Sequence, residues 1–260
     1  MILDELAAHA RERVAAAKTR VTLEEIRAQA EALLRGDFRF EKALSGKGTA
    51  FICEVKKASP SKGVIDPQFD YFGIAGQYEE AGADCISVLT EPKWFLGSDE
   101  IFRAIRLTVD VPMLRKDFTV DEYQIYEAKV MGADAVLLIC ALLDTDKLRE
   151  YLAICDKLGL SALVETHDET EMQSAVAAGA RLIGVNNRNL RDFSVDLGNA
   201  ARLRAGAPEG TIFVAESGVS CPEDAAKLRQ AGADAILMGE FLMRSLDKKR
   251  ALQALREAAK

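Results

Sequence analysis

The stretch Ala81-Gly-Ala-Asp-Cys-Ile-Ser-Val-Leu-Thr-Glu91 returns three times in altered form, as Met131-Gly-Ala-Asp-Ala-Val-Leu-Leu-Ile-Cys-Ala141, Ala178-Gly-Ala-Arg-Leu-Ile-Gly-Val-Asn-Asn187 and Ala231-Gly-Ala-Asp-Ala-Ile-Leu-Met-Gly-Glu240. The glycines, at 82, 132, 179 and 232, are 50, 47 and 53 positions apart. Each follows an amphipathic stretch and precedes a short run of apolar residues. A glycine there ends a helix in the left-handed conformation. A run apolar on both faces belongs to a parallel strand covered by helices.

One further strand lies before or between the repeats: residues 50–57 (AFICEVKK), 111–118 (VPMLRKDF), 161–167 (SALVETH) and 211–218 (TIFVAESG). Helical patterns such as Asp144–Gly159 and Lys248–Lys260 separate them. Regular strand–helix alternation at about 25 residues per unit implies right-handed crossovers and a parallel sheet. Eight such units predict a closed (β/α)8 TIM barrel rather than an open doubly wound sheet, and no Gly-x-Gly-x-x-Gly follows the first strand to suggest a dinucleotide site. Residues 1–47 precede the barrel. Apolar positions at helical spacing from Ile2 to Val14, and a capping box at Thr22-Leu-Glu-Glu25, predict a helical extension packed on it. A single domain over residues 1–260 is the expected organisation.

The chain has 260 residues, 49% hydrophobic and 29% charged, with a formal net charge of −7. This is a globular composition, and its acidic, interspersed charge argues against nucleic-acid binding. No run of about 18 apolar residues suggests a membrane span, and the charged N-terminus does not resemble a signal peptide. Five scattered cysteines without a CxxC are expected to be free thiols in a reducing, cytoplasmic setting. Two histidines offer little for a metal site or a Ser/His/Asp triad.

Barrel enzymes place their chemistry at the C-terminal ends of the strands. Those ends carry Glu54, Lys56 and Lys57; Thr90 and Glu91; Arg115, Lys116 and Asp117; Glu165; Asn186, Asn187 and Arg188; Glu216, Ser217 and Gly218; and Gly239 and Glu240. The fourth strand stays apolar through Leu137. Period 2 puts Glu54 and Lys56 on one face. A buried Lys116 is costly unless paired or shifted toward neutrality, and a lowered lysine pKa suits a proton donor. A structural ion-pair network is the alternative, but two lysines and three glutamates at one barrel end read as an acid–base site.

Ser217-Gly218 and Gly239, each before a potential helix, offer backbone N–H groups to a phosphate, although turn chemistry alone would also place glycine there. The basic loop from Lys56 to Gly63 reads as a solvated loop or a cover that attracts an anion. Trp94, Phe95, Phe118, Leu137 and Leu190 are core residues or the walls of a pocket for an aromatic ring. His9 is expected to be solvated or packed in the extension, and His167 to sit in a surface loop.

Several of these segments resemble one family. Glu54-Val-Lys56-Lys-Ala-Ser-Pro-Ser-Lys-Gly63, Ser87-Val-Leu-Thr-Glu91, Arg115-Lys-Asp-Phe118, Gly184-Val-Asn-Asn-Arg-Asn-Leu190 and Ala215-Glu-Ser-Gly218 resemble the motifs of the indole-3-glycerol phosphate synthases, as does the opening helix. The resemblance implies a barrel with an extra N-terminal helix, no metal and no cofactor. It implies ring closure, decarboxylation and dehydration of 1-(2-carboxyphenylamino)-1-deoxyribulose 5-phosphate. Carried over, Glu54, Lys56, Lys116, Glu165, Asn186 and Ser217 are the catalytic set, with Lys116 protonating the ketone oxygen. Ser59, Phe95, Phe118, Leu137, Arg188, Leu190, Glu216, Gly218 and Gly239 bind substrate. Glu240 departs from the small polar residue of some relatives. A small phosphorylated substrate is the implied partner and a monomer the expected state.

Two other readings stand beside this one. A Schiff-base aldolase acting on a sugar phosphate would use Lys116 or Lys56 as nucleophile. A non-catalytic regulator would only bind a phosphorylated metabolite.

Overall fold

The structure, a computed structural model, describes residues 2–46 and 48–260; residues 1 and 47, the two ends of the expected extension, lie outside the described residues. Helices α1 (Ile2–Lys18), α2 (Leu23–Ala32) and α3 (Arg39–Leu44) come first. Eight barrel strands follow: β1 (Ala50–Val55), β2 (Cys85–Leu89), β3 (Met113–Lys116), β4 (Ala135–Ile139), β5 (Ser161–Thr166), β6 (Leu182–Asn186), β7 (Ile212–Glu216) and β8 (Ala235–Met238). Each pairs in parallel with its chain neighbour, and β8 pairs with β1 to close the barrel. The helices between and after them are α4 (Tyr71–Glu80), α5 (Asp99–Arg106), α6 (Tyr123–Val130), α7 (Thr145–Leu158), α8 (Glu169–Ala178), α9 (Gly198–Arg204), α10 (Pro222–Gln230), α11 (Glu240–Arg244) and α12 (Lys248–Ala258). The (β/α)8 fold expected from the repeats is the one observed. Among the described residues no helix is long and apolar enough to cross a membrane.

The repeat has a physical cause. Gly82, Gly132, Gly179 and Gly232 have φ of +83°, +85°, +90° and +89°, which a side chain would oppose. The following alanine closes a Schellman turn at all four helix ends by donating its N–H five residues back: Ala83 to Tyr78, Ala133 to Ala128, Ala180 to Ala175 and Ala233 to Leu228. The aspartate then reaches the start of the preceding strand. Asp84 accepts the Phe51 N–H at 2.7 Å, Asp134 that of Met113 at 2.9 Å, and Asp234 that of Phe213 at 2.9 Å. Arg181, the exception, binds Glu41 of α3 instead.

Strand alternation divides the core in two. Outward residues such as Cys53, Val88 and Val164 meet the helices, while Ile52, Leu114, Leu137, Leu163, Leu182, Val214 and Leu237 fill the lumen. At the N-terminal end, α3 inserts Phe40 and Leu44 into the lumen cluster, closing the barrel floor. The extension is tied to the other end. Arg13 of α1 makes a bidentate pair with Asp117 at 2.6 and 3.0 Å, and Lys18 binds Asp121 at 2.7 Å. The expected capping box at Thr22 is present in both its hydrogen bonds. All five cysteines are free.

Asp234→Ala leaves the buried Phe213 N–H without its acceptor and is expected to cost about 1–3 kcal/mol, seen as a lower urea midpoint with an unchanged slope. A midpoint equal to wild type would show that the repeat's aspartate contributes nothing to the strand it caps.

Candidate active site

Continuing the lumen face upward gives the site. The residues two beyond Ile52, Leu114, Leu163 and Val214 are Glu54, Lys116, Glu165 and Glu216, and Asn186 ends the corresponding row on β6. Below them the lumen is aliphatic, so one charged layer rests on an apolar barrel. Arg115 has the opposite parity and points to the helices, where it binds Asp99 and Glu127 at 2.8 and 2.7 Å.

The charged layer forms the floor of a cavity of about 720 Å³. All fifteen residues that the resemblance assigns to catalysis or substrate binding line it. Lys56 and Glu54 pair at 2.6 Å. Lys116 Nζ lies 3.5 Å from Glu216 and 3.7 Å from Glu165. Phe95 and Phe118 pack at a tilt with ring centroids 6.0 Å apart, and Leu137 and Leu190 also line the cavity. Asn186 accepts the Arg188 N–H at 3.0 Å, and the Arg188 guanidinium is held by the Phe193 carbonyl at 3.1 Å. Ser59 stands in a two-residue ladder with Gly63, so the loop after β1 folds as a small hairpin.

The expected lowering of the Lys116 pKa is contradicted. Burial does oppose its charge, but Glu216, Glu165 and Glu54 outweigh burial and hold the ammonium above its ordinary value. Two lysines do not neutralise three carboxylates, and the remainder shows on Glu216. Burial, then the charge of Glu165, pushes its pKa up to about 8, against the pull of Lys116. Its Oε1 is buried with no hydrogen-bond partner. For Glu54 burial acts upward too, but Lys56 and Lys116 prevail and its pKa is lowered.

Other sequence expectations need correction. Glu91 lies past the end of β2 and turns away from the cavity, accepting the N–H groups of Lys93, Trp94 and Phe95 and facing His9 at 3.1 Å. Trp94 is outside the cavity wall, edge-on to His9 and beneath the Lys93 ammonium. His167 is not a loose surface residue: its ring lies 3.4 Å from Glu165 and 3.0 Å from Glu171.

The structure also adds residues. A Cβ on Gly184 would lie 2.1 Å from Glu216 Oε1, so the bare backbone of β6 is what lets that carboxylate enter the lumen. Likewise a Cβ on Gly239 would lie 2.6 Å from Glu54 Oε1. Ser217 holds φ of +67°, with its carbonyl fixed by Asn187 at 3.3 Å. Glu240 is balanced by Arg244 at 3.2 Å and Lys62 at 3.6 Å. Ile2 and Leu6 of α1 complete the wall. Ser217, Gly239 and Glu240 stand at strand ends that the sequence already marks, whereas no local signal points Gly184, Ile2 or Leu6 to the site.

A closed barrel with two lysines and three carboxylates buried at its C-terminal rim defines a (β/α)8-barrel enzyme. The family model described as indole-3-glycerol phosphate synthase matches residues 3–255. A protein of that name from Ruminiclostridium cellulolyticum is 54% identical over 260 residues, covering 100% of both chains. Another from Endomicrobium trichonymphae is 51% identical, covering 94% of this chain and 95% of its own. The chain belongs to the indole-3-glycerol phosphate synthase family and is a carbon–carbon lyase of the carboxy-lyase class. Among solved structures, a 3-hexulose-6-phosphate synthase aligns with TM-score 0.64 at 18% identity, over 82% of this chain and 100% of its own. A thiamine phosphate pyrophosphorylase from Pyrococcus furiosus aligns with TM-score 0.61 at 17% identity, over 81% and 95%. Those two likenesses show the fold.

A carboxyl whose folded pKa, about 8, exceeds its ordinary 4.5 binds a proton on folding. Its contribution to stability is full below pH 4.5 and is lost as pH rises through 8. Glu216→Gln cannot titrate, so its stability relative to wild type is expected to rise across that window in paired urea titrations. A pH-independent difference would place the proton elsewhere.

Proposed function

We propose that this chain closes the indole ring of 1-(2-carboxyphenylamino)-1-deoxyribulose 5-phosphate with loss of CO2 and water, using the buried charge layer as its proton store. The observation that carries this reading is Lys116, a charged proton donor held between Glu165 and Glu216. Lys116 protonates the ketone oxygen as the ring carbon attacks it. Glu165 is its acidic partner, and Glu54 with Lys56 completes the set. Carboxylates around the closing ring stabilise the positive charge that develops there before CO2 departs. A Schiff-base mechanism needs a neutral amine, and a lysine held above its ordinary pKa is the reverse of that.

Asn186 and Glu216 hold the sugar-derived hydroxyls, and Arg188 lies near the departing carboxylate. The Phe95–Phe118 pair, with Leu137 and Leu190, takes the aromatic ring. Ser59 belongs to the loop that covers the substrate. Ser217, Gly218 and Gly239 form the phosphate cradle; the positive φ of Ser217 and of Gly218, +94°, supports it by turning successive peptide groups at one place. With Arg244 and Lys62 beside it, Glu240 does not leave that corner uncompensated. Binding the remote phosphate orients the flexible chain over Lys116.

The chemistry uses proton transfer and fixed charge, so we assign no metal and no cofactor to it. We further propose a single domain over residues 1–260 with residues 1–47 as its helical extension, acting as a monomer in the cytoplasm and not binding nucleic acid. The acidic surface and the docking of α1 onto the catalytic rim support this.

Appearance of indole fluorescence on mixing enzyme with the substrate tests the reaction; its absence would reject it. Glu165→Gln is expected to lower kcat by at least ~10²-fold with KM little changed, because an amide cannot exchange the proton. Lys116→Met should abolish turnover while still binding substrate, assayed near about pH 6 so that the carboxylates left without their cation can take up protons. Full activity in either variant would remove that residue from the mechanism.

A further inference from the structure

A second cavity of about 460 Å³ lies beside the first, with His167 and Glu171 in its wall and Asn186, Arg188 and Leu190 shared between the two. Glu165 lines only the first cavity; His167 and Glu171 line only the second. The His167 imidazole stands between them. Its Nε2 is buried without a hydrogen bond and lies 3.4 Å from Glu165 Oε1. Its Nδ1 lies 3.0 Å from Glu171 Oε2, which also accepts the His167 backbone N–H at 2.8 Å. The Glu165 side chain is 4% exposed, that of His167 18% and that of Glu171 19%, so a buried carboxyl is linked through the imidazole to a pair of groups that water reaches.

We propose that Glu165, His167 and Glu171 form the route by which one proton per turnover enters the active site from the second cavity while substrate fills the first. This rests on the reading of Lys116 and Glu165 as the proton-handling pair. The stoichiometry requires such a supply. The substrate enters as a carboxylate. Ring closure puts one proton on the ketone oxygen, and dehydration puts a second on the resulting hydroxyl, which leaves as water. One proton returns from the ring methylene as the double bond forms. The carboxylate leaves as CO2, and its electron pair restores the aromatic ring. Two protons in and one out leave a net uptake of one.

The groups facing the ring suit the task. Glu165 of β5, Glu171 of α8 and, further off, Glu216 of β7 are all acidic, while Asn199 of α9 donates to the backbone carbonyls of His167 and Asn186 and not to the ring. Burial acts against the imidazolium, but the Glu171 bond and the Glu165 charge prevail and raise its pKa above 6.5. Histidine is the side chain that both gives and regains a proton near neutral pH.

The test compares His167→Ala and His167→Gln with wild type in the full chain, at constant ionic strength, with increasing imidazole. In little buffer both variants are expected to lose about tenfold in kcat with KM within about twofold, less than loss of a group acting on substrate itself. Imidazole should restore His167→Ala, which leaves space for it, and leave wild type unchanged. The glutamine retains hydrogen bonding but carries no proton, so it should stay slow. Full activity of His167→Gln in little buffer, or a loss in His167→Ala that imidazole does not restore, would overturn the relay. Glu165→Gln and wild type in the same buffers separate the two claims. An inactive wild type or a fully active Glu165→Gln would reject the underlying reading, whereas unaffected His167 variants beside an inactive Glu165→Gln reject the relay alone.

Discussion

The Lys116 ammonium, 3.5 Å from Glu216 and 3.7 Å from Glu165, is the interaction on which the upper half of the barrel depends. These groups come from β3, β5 and β7, strands that alternate with apolar β4 and glycine-bearing β6. Alone, any of them would be too costly to bury in an aliphatic lumen. Together they make a layer in which every charge has an opposite neighbour and the excess of carboxylates raises the pKa of Glu216 to about 8. The same arrangement that allows burial keeps a proton donor charged, so stability and chemistry draw on one set of contacts.

The rest of the fold holds that layer at fixed height. The aspartates of three repeats tie each helix end to a strand start, and α3 closes the floor, so the lumen rows are in register when they reach the rim. Gly184 and Gly239 then give up side chains where Glu216 and Glu54 need the room. From outside, Arg13 grips Asp117, the residue next to Lys116, and so couples the position of α1 to that of the proton donor.

Much of this was legible in the sequence because strand period and helix-end glycines are local signals. The four Gly-Ala repeats, the Thr22 box and the parity of Glu54 and Lys56 required no knowledge of distant neighbours. The charge state of Lys116 did, since it is set by carboxylates from three other strands. Glu91, named at the end of its strand, and Trp94, read as core or pocket wall, both lie beyond Leu89, where the chain turns and strand pattern no longer says which way a side chain points. His167 looked like a loop residue because its partners, Glu165 and Glu171, define a bridge only once β5 and α8 are folded against each other. Ile2 and Leu6 read as packing residues; that the surface they pack against is a cavity mouth is a tertiary fact.

The central claim is that Lys116 is a stored proton, not a neutral amine. Its side-chain ε-carbon resonance, assigned by comparison with Lys116→Met and followed through a pH titration of the ligand-free enzyme, reads this directly. The account predicts an ammonium that remains protonated to its ordinary pKa of 10.5 and above. Titration of that resonance near neutral pH would contradict it and return the site to a nucleophilic lysine.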